Sequence, residues 1–183
     1  TAFSPDGLLL VSPAANLRET VSWREGLIRI QDEASQLIAL LLSPEPGESL
    51  LDLCAGTGGK TLHLAALMEN RGRVMAVDLH SARLRMLREE TERLGVTIVE
   101  TRTGDAAAPA ESFRGVFDRV LLDAPCSGLG TLRRNPEIRW RLSPADIEKC
   151  SQIQRRLIRS AADCVRPGGR LVYSVCAVTP EEN

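Results

Sequence analysis

An apolar run, Leu50-Leu51-Asp52-Leu53, stops at Cys54-Ala55-Gly56-Thr57-Gly58-Gly59, and a helical apolar pattern follows from Thr61 to Met68. That order constrains the chain more than any other feature: a strand, a tight turn with three glycines, then a helix. Glycine has no Cβ, so such a turn lets a ligand approach the backbone. The first N–H groups of the helix lack partners within it and face that ligand. The stretch is expected to bind a small molecule, against the plainer alternative of a glycine-rich turn with no ligand.

Three kinds of loop compete for it. A phosphate-binding P-loop needs G-x-x-x-x-G-K-[ST]. Gly59-Lys60-Thr61 fits its end, but the opening glycine falls on Cys54. A dinucleotide fingerprint, G-x-G-x-x-G, accepts Gly56 and Gly58 but meets Thr61 where the third glycine belongs. An S-adenosylmethionine loop wants an acidic residue near the end of the first strand and a small, glycine-rich turn. Asp52 and Ala55 to Gly59 supply both.

The chain has 183 residues, the size of one domain, and its 43% hydrophobic content suffices for a core. A net charge of −1 argues against a polycation that binds nucleic acid by bulk attraction, and 3% aromatic residues leave few platforms for stacking bases. Yet 21 of the 23 basic residues are arginine, the side chain suited to bidentate phosphate contacts. Lys60, inside the glycine turn, is one of two lysines. Five cysteines show no metal-type spacing, and only His63 and His80 supply imidazole, so no metal site is expected. No signal peptide or long apolar run appears, which predicts a cytoplasmic protein with reduced thiols and no membrane contact. The chain starts at Thr1 and stops abruptly at Asn183, as a piece of something longer would.

Residues 1–30 read as a lead-in with short extended pieces at Leu8–Val11 and Leu27–Ile30. Asp32 is a plausible N-cap for a helix over Glu33–Leu42. The pattern then predicts strands at Ser49–Leu53, Arg73–Val77, Val96–Glu100, Phe117–Leu122 and Arg170–Val175. Helices are expected over Lys60–Glu69, over Ser81–Leu94 with Gly95 beyond its end, and from Pro144, capped by Ser143, to about Cys164. Residues 127–142 carry Gly, Pro and arginines without periodicity and read as a functional loop. Such alternation implies a mostly parallel sheet with helices on both faces, which binds ligands at the carboxyl ends of its strands.

Those ends carry Asp52 with the glycine turn, Asp78, Gly104-Asp105, Asp123-Ala124-Pro125-Cys126, and Tyr173-Ser174-Val175-Cys176. Asp78 suits a carboxylate accepting from both hydroxyls of a ribose, or a helix cap. Asp105 suits an adenine amino group, or a turn cap. Pro125 cannot continue a central strand, so the backbone leaves the sheet there and delivers Asp123 and Cys126 to the cleft. Cys176 arrives at the neighbouring strand end. Cys54, Cys150 and Cys164 read as buried, inert thiols, the last two through their shared helix. A thiol beside a methyl donor suggests one chemistry. A thiolate adding at C6 of a pyrimidine makes C5 nucleophilic enough to take a methyl group; a base then removes the C5 proton and the thiolate leaves. A carboxylate suits the amino group of cytosine. Residue reasoning alone does not choose between the two cysteines.

With these residues the chain resembles the RNA (cytosine-5) methyltransferases of the Sun/Nop family, and most of all the bacterial 16S ribosomal RNA members. The matching stretches are Gln31 to Ser35, Leu51 to Lys60, Asp78, Gly104-Asp105-Ala106, Asp123 to Gly128, Arg134 to Ile138, and Tyr173 to Asn183. The resemblance implies a Rossmann-like class I methyltransferase fold. It implies a core over residues 31–183 that transfers a methyl group from S-adenosylmethionine to C5 of a cytosine in RNA, 16S rRNA being the expected partner. Cys176 would be the nucleophile, and Cys126 would help release the product. Asp123 and Pro125 would hold the cytosine, with Lys60 beside them. Cys54, Ala55, Gly56, Thr57, Gly58, Gly59, Lys60, Asp78, Arg83 and Asp105 would hold the cofactor, with Asp123 near its reactive end. Arg133, Arg134, Arg139 and Arg141 would contact RNA phosphates.

The chain departs from the family pattern where Thr57 replaces a proline and where Val175 and Ala177 replace Thr and Ser. Family members usually continue for two more strands, and many bacterial ones carry an N-terminal RNA-binding domain. The expectation is therefore a monomeric core lacking both. The rival readings are a P-loop-like nucleotide hydrolase and a non-catalytic RNA-binding fragment.

Overall fold

The computed structural model describes residues 1, 3–5, 7–10 and 16–183. Strands β1 (Ser49–Asp52), β2 (Arg73–Asp78), β3 (Val99–Thr103), β4 (Phe117–Asp123) and β5 (Val165–Ser174) form one sheet in the order β3-β2-β1-β4-β5. Every pairing is parallel. Strand order reverses between β1 and β4, which opens a crevice above their carboxyl ends. The helices are α1 (Val21–Arg24), α2 (Glu33–Leu42), α3 (Gly59–Leu67), α4 (Ser81–Arg93), α5 (Ile138–Arg141) and α6 (Pro144–Cys164).

Side chains of a strand alternate between faces, so a continuous apolar run feeds two cores. Leu50, Val74, Leu121 and Val172 pack against Ala39 and Leu42 of α2 and Leu64 of α3. Ala76 meets Leu84 and Leu87 of α4 on the same side. Leu51, Met75, Val77, Val120 and Leu122 face the other way, onto Leu157, Ala161 and Cys164 of α6. Both faces of the sheet are thus covered, as the alternation predicts. The helix starts follow the expected chemistry. Asp32 caps α2 through Ala34 N, and Ser143 and Asp146 form a reciprocal capping box ahead of Pro144.

Four expectations need correction. The third strand starts at Val99, not Val96, because Val96 N still bonds Thr91 O at the helix end and Thr97 N bonds the Asn70 side chain. β3 is an edge strand paired only with β2, and its polar Glu100 and Arg102 blur the apolar signal. The fifth strand begins at Val165 and carries Pro167-Gly168-Gly169 within it. The register jumps there from Phe117↔Val165 to Arg119↔Arg170, a bulge that accommodates a proline inside a strand. Leu8–Leu10 and Leu27–Ile30 pair with no strand, and Val11 lies outside the described residues. A 3-10 turn at Leu17–Glu19 and the one-turn α1, capped by Thr20, occupy the lead-in instead. Finally, α6 buries Cys164 but leaves Cys150 only half-buried.

The lead-in is tied to α4. The Arg93 guanidinium lies 4.0 Å from the centre of the Trp23 ring and donates to the carbonyls of Trp23 and Ile28. Among the described residues no helix is long and apolar enough to cross a membrane.

Candidate active site at the carboxyl edge of the sheet

A cleft of about 560 Å³ opens at the carboxyl ends of β1, β2 and β4. Cys54, Ala55, Gly56, Thr57, Gly59, Lys60, Asp78, Arg83, Asp105, Asp123 and Pro125 line it, whereas Cys126 and Cys176 lie just outside its lining. Gly58 does not line it either. It is buried at φ +84°, and a Cβ there would lie 2.1 Å from Leu87 Cδ1. Its role is to let the turn press against α4. The back of the turn is gripped by Arg29, whose guanidinium donates to Gly58 O at 2.8 Å and Thr57 O at 3.3 Å and lies 3.6 Å from Glu90. Sequence reasoning missed Arg29, which sits in an unpatterned stretch.

The acidic groups differ in state. Asp52 is fully buried, and Thr61 Oγ1 donates to its Oδ2 at 2.7 Å, while Oδ1 has no partner. Burial pushes its carboxyl up to about 7. Asp78 accepts from Gly56 N at 2.9 Å and from His80 N at 2.8 Å, so it ties the glycine turn to the entry of α4. One N–H of the turn is therefore spent on a carboxylate of the protein. Asp78 is not the α4 N-cap, a place taken by His80. Asp105 caps its own turn through Ala107 N at 2.8 Å while still facing the cleft.

At the mouth, Lys60 Nζ lies 2.6 Å from Asp123 Oδ2, and Ser174 Oγ donates to Asp123 Oδ1 at 2.7 Å. Two neighbouring strands and the start of α3 thus fix one carboxylate. Just beyond Pro125, the sulfurs of Cys126 and Cys176 are 3.2 Å apart, though 50 residues separate them in sequence. A hydrogen bond from Cys176, set against partial burial, lowers the Cys126 thiol to about 7. The same contact, with burial and the negative charge of Asp123, pushes Cys176 up. In the resting pair the negative charge therefore belongs on Cys126, with the Cys176 thiol donating to it across the S···S contact. Cys54, by contrast, is pushed up to about 12 by burial and the surrounding aspartates, though it is half-buried and lines the cleft rather than being fully buried as expected.

The arginine segment is exposed and holds a 3-10 turn at Leu129–Thr131 and α5. Arg134 Nη2 lies 2.6 Å from Asp32 Oδ2, an exposed ion pair to the residue that caps α2. Arg139 lies beside the Trp140 ring. Arg133 and Arg141 have no ion-pair partner among the described residues.

Residues 39–183 match the family model described as 16S rRNA methyltransferase RsmB/F. The chain belongs to the RsmB/F family. The matched span holds the whole glycine turn, all the acidic groups of the cleft and both mouth cysteines. A Synechocystis protein described as "Probable ribosomal RNA small subunit methyltransferase B" is 42% identical over 180 residues, 98% of this chain and 40% of its own length. The crystal structure of NSun6 from Pyrococcus horikoshii with SFG overlays with a TM-score of 0.84 at 36% identity, covering 92% of this chain and 43% of that one. A methyltransferase homologue from Pyrococcus horikoshii overlays with a TM-score of 0.88 at 37% identity, covering 100% of this chain and 57% of that one. The chain thus spans two fifths of the curated relative's length, and its five-stranded sheet is the Rossmann-like one of the methyltransferases it resembles.

Proposed function

We propose that this chain is the catalytic core of an S-adenosylmethionine-dependent RNA (cytosine-5) methyltransferase that acts on 16S rRNA, with residues 31–183 as the core and 1–30 as a lead-in. The observation that carries the reading is the pair of cysteines at 3.2 Å beside a fixed carboxylate, at the mouth of an acidic cleft. The cleft fits the cofactor. Asp52 Oδ1 is buried without a partner and suits a cationic group, while Asp78 and Asp105 offer acceptors for hydroxyl and amino groups. Bound there, S-adenosylmethionine supplies an electrophilic methyl group.

The residues of the chain do the rest. Asp123, held by Lys60 and Ser174, accepts from the cytosine amino group. The Cys176 thiolate would add to C6 and move electron density to C5, which would take the methyl group as the donor's sulfur–methyl bond breaks and S-adenosylhomocysteine leaves. Loss of the C5 proton to a base and departure of sulfur from C6 then restore the ring and the thiolate. Cys176, the exposed residue of the pair, is the nucleophile; its resting thiol donates to Cys126, so its activation comes with RNA binding, and Cys126 serves release. On this reading the protein acts in the cytoplasm as a monomer, with rRNA as its partner.

The test is incubation of the full protein with labelled S-adenosylmethionine and small-subunit RNA from cells lacking the enzyme, followed by mapping of the label. The reading expects label on C5 of a cytosine in 16S rRNA. Label on another RNA or another atom would contradict it, and magnesium-dependent ATP binding in place of cofactor binding would favour a nucleotide hydrolase.

A further inference from the structure

The described chain ends on a buried carboxylate that the proposed chemistry does not use. Glu182 is 2% exposed. Its Oε1 accepts from Ser127 N at 2.9 Å and from Gln154 Nε2 at 2.9 Å. Its Oε2 accepts from Ser127 Oγ and from Thr179 Oγ1 at 3.0 Å. Its backbone carbonyl accepts from Tyr173 Oη at 3.0 Å. Burial alone would raise this carboxyl, yet its hydrogen bonds outweigh that and hold it below the usual range. A charge so fully satisfied is costly to disturb, since removing one partner strands the others.

The donors come from separate parts of the fold. Ser127 is the residue after Cys126. Gln154 lies on α6 and donates from the same Nε2 to Pro125 O at 2.9 Å, one residue before Cys126. Thr179 lies on the terminal segment that carries Cys176. The two cysteine loops also touch directly. Gly130 N donates to Cys176 O at 2.8 Å, and a Cβ on Gly130 would sit 2.9 Å from that oxygen. Alanine at 130 therefore forces the Cys176 backbone away.

From this arrangement we infer that Glu182 is a positioning residue, a clasp that holds the Cys126 loop and the Cys176 loop at the separation the two sulfurs need. Its consequence for methyl transfer rests on the proposed function, whereas its effect on the thiols does not. That difference lets the two be tested apart. Iodoacetamide labelling of Cys126 and Cys176 is followed against pH by peptide mass spectrometry, in the full protein and in its Glu182→Gln, Ser127→Ala and Gly130→Ala variants. Circular dichroism and melting identify the folded variants. Ser127→Ala keeps the charge of Glu182 and Gly130→Ala leaves the carboxylate untouched, so an effect shared by all three comes from position rather than charge.

In the parent, Cys126 should label with a midpoint near 7. The clasp predicts that Ser127→Ala and Gly130→Ala move this midpoint towards the ordinary thiol value, with labelling at pH 7 slowed by roughly five- to tenfold after the higher intrinsic reactivity of a more basic thiolate is allowed for; Glu182→Gln moves it less, because it also removes a negative charge that raises the Cys126 thiol. Methyl transfer then falls with KM for the cofactor unchanged. If Glu182→Gln does not fold, Ser127→Ala and Gly130→Ala decide the matter on the same readout. An unchanged midpoint in folded Ser127→Ala and Gly130→Ala overturns the clasp even if the parent methylates RNA. A shifted midpoint in a parent that methylates nothing sinks the proposed function and supports the clasp.

Discussion

Lys60 and Asp123 face each other 2.6 Å apart at the mouth of the cleft, 63 residues apart in sequence. Ser174 holds the other carboxylate oxygen, so the plane of Asp123 is set from two sides. A hydrogen bond to a charged group contributes roughly 1.5–3 kcal/mol. Ser174→Ala should therefore lower kcat/KM for RNA by roughly 10–150-fold, with cofactor affinity within about twofold of the parent. Steady-state kinetics with RNA and calorimetry with cofactor separate these effects. Equal losses in both would place Ser174 in the cofactor site instead.

Asp78 joins two loops and faces the cleft. Asp78→Ala strands the N–H groups of Gly56 and His80 and removes the acceptor proposed for the cofactor. Affinity for S-adenosylmethionine should weaken by roughly 10–150-fold, the equivalent of about 1.5–3 kcal/mol, and the melting temperature should fall. Asp78→Asn keeps one acceptor and should lie between. Cofactor affinity equal to that of the parent in Asp78→Ala would remove the residue from the site.

The arginines should not behave alike. Removing an arginine that neutralises one RNA phosphate flattens the salt dependence of binding by about 0.7–0.9 log unit per log unit of salt. Arg133→Ala should show that change. Arg134→Ala should show less of it, because its guanidinium pairs with Asp32, and should instead loosen the start of α2. Filter binding of RNA across a salt series measures the slopes, and identical slopes for the parent and Arg133→Ala would take this segment off the RNA.

How far the sequence can be read follows from where each signal resides. The glycine turn and Asp-Ala-Pro-Cys are local: each forces its own backbone, so the cleft lining is legible almost residue by residue. The start of the edge strand β3 is hidden because that strand needs no apolar face on its outer side. The bulge in β5 is hidden because proline usually ends a strand, and only pairing with β4 reveals it. Arg29, Ser174 and Glu182 act through partners 29, 51 and 55 residues away, and no spacing rule announces such contacts. The same holds for Arg134, whose ion pair with Asp32, 102 residues away, no spacing rule announces.

Asp52 gives a pH dependence of definite sign. Its folded carboxyl is raised to about 7 from an ordinary 3.8, so folding takes up a proton between those values. Its contribution to stability therefore falls as pH rises from about 4 to 7, by at most about 1.4 kcal/mol per pH unit. Asp52→Asn should remove that slope. Chemical denaturation of parent and variant at pH 5 and pH 7 reads the difference, and parallel stability profiles would show that Asp52 titrates like an exposed carboxylate.

The covalent step is the centre of the account, and the two cysteines should fail in different ways. Labelled RNA and S-adenosylmethionine are incubated with the full protein carrying Cys176→Ala or Cys126→Ala, and the products are run on a denaturing gel. The account predicts no adduct and no methylated RNA with Cys176→Ala, and an RNA–protein band that survives denaturation with Cys126→Ala. A band trapped by Cys176→Ala and absent from Cys126→Ala would exchange their roles, and undiminished methylation in both, with no band in either, would contradict covalent catalysis altogether.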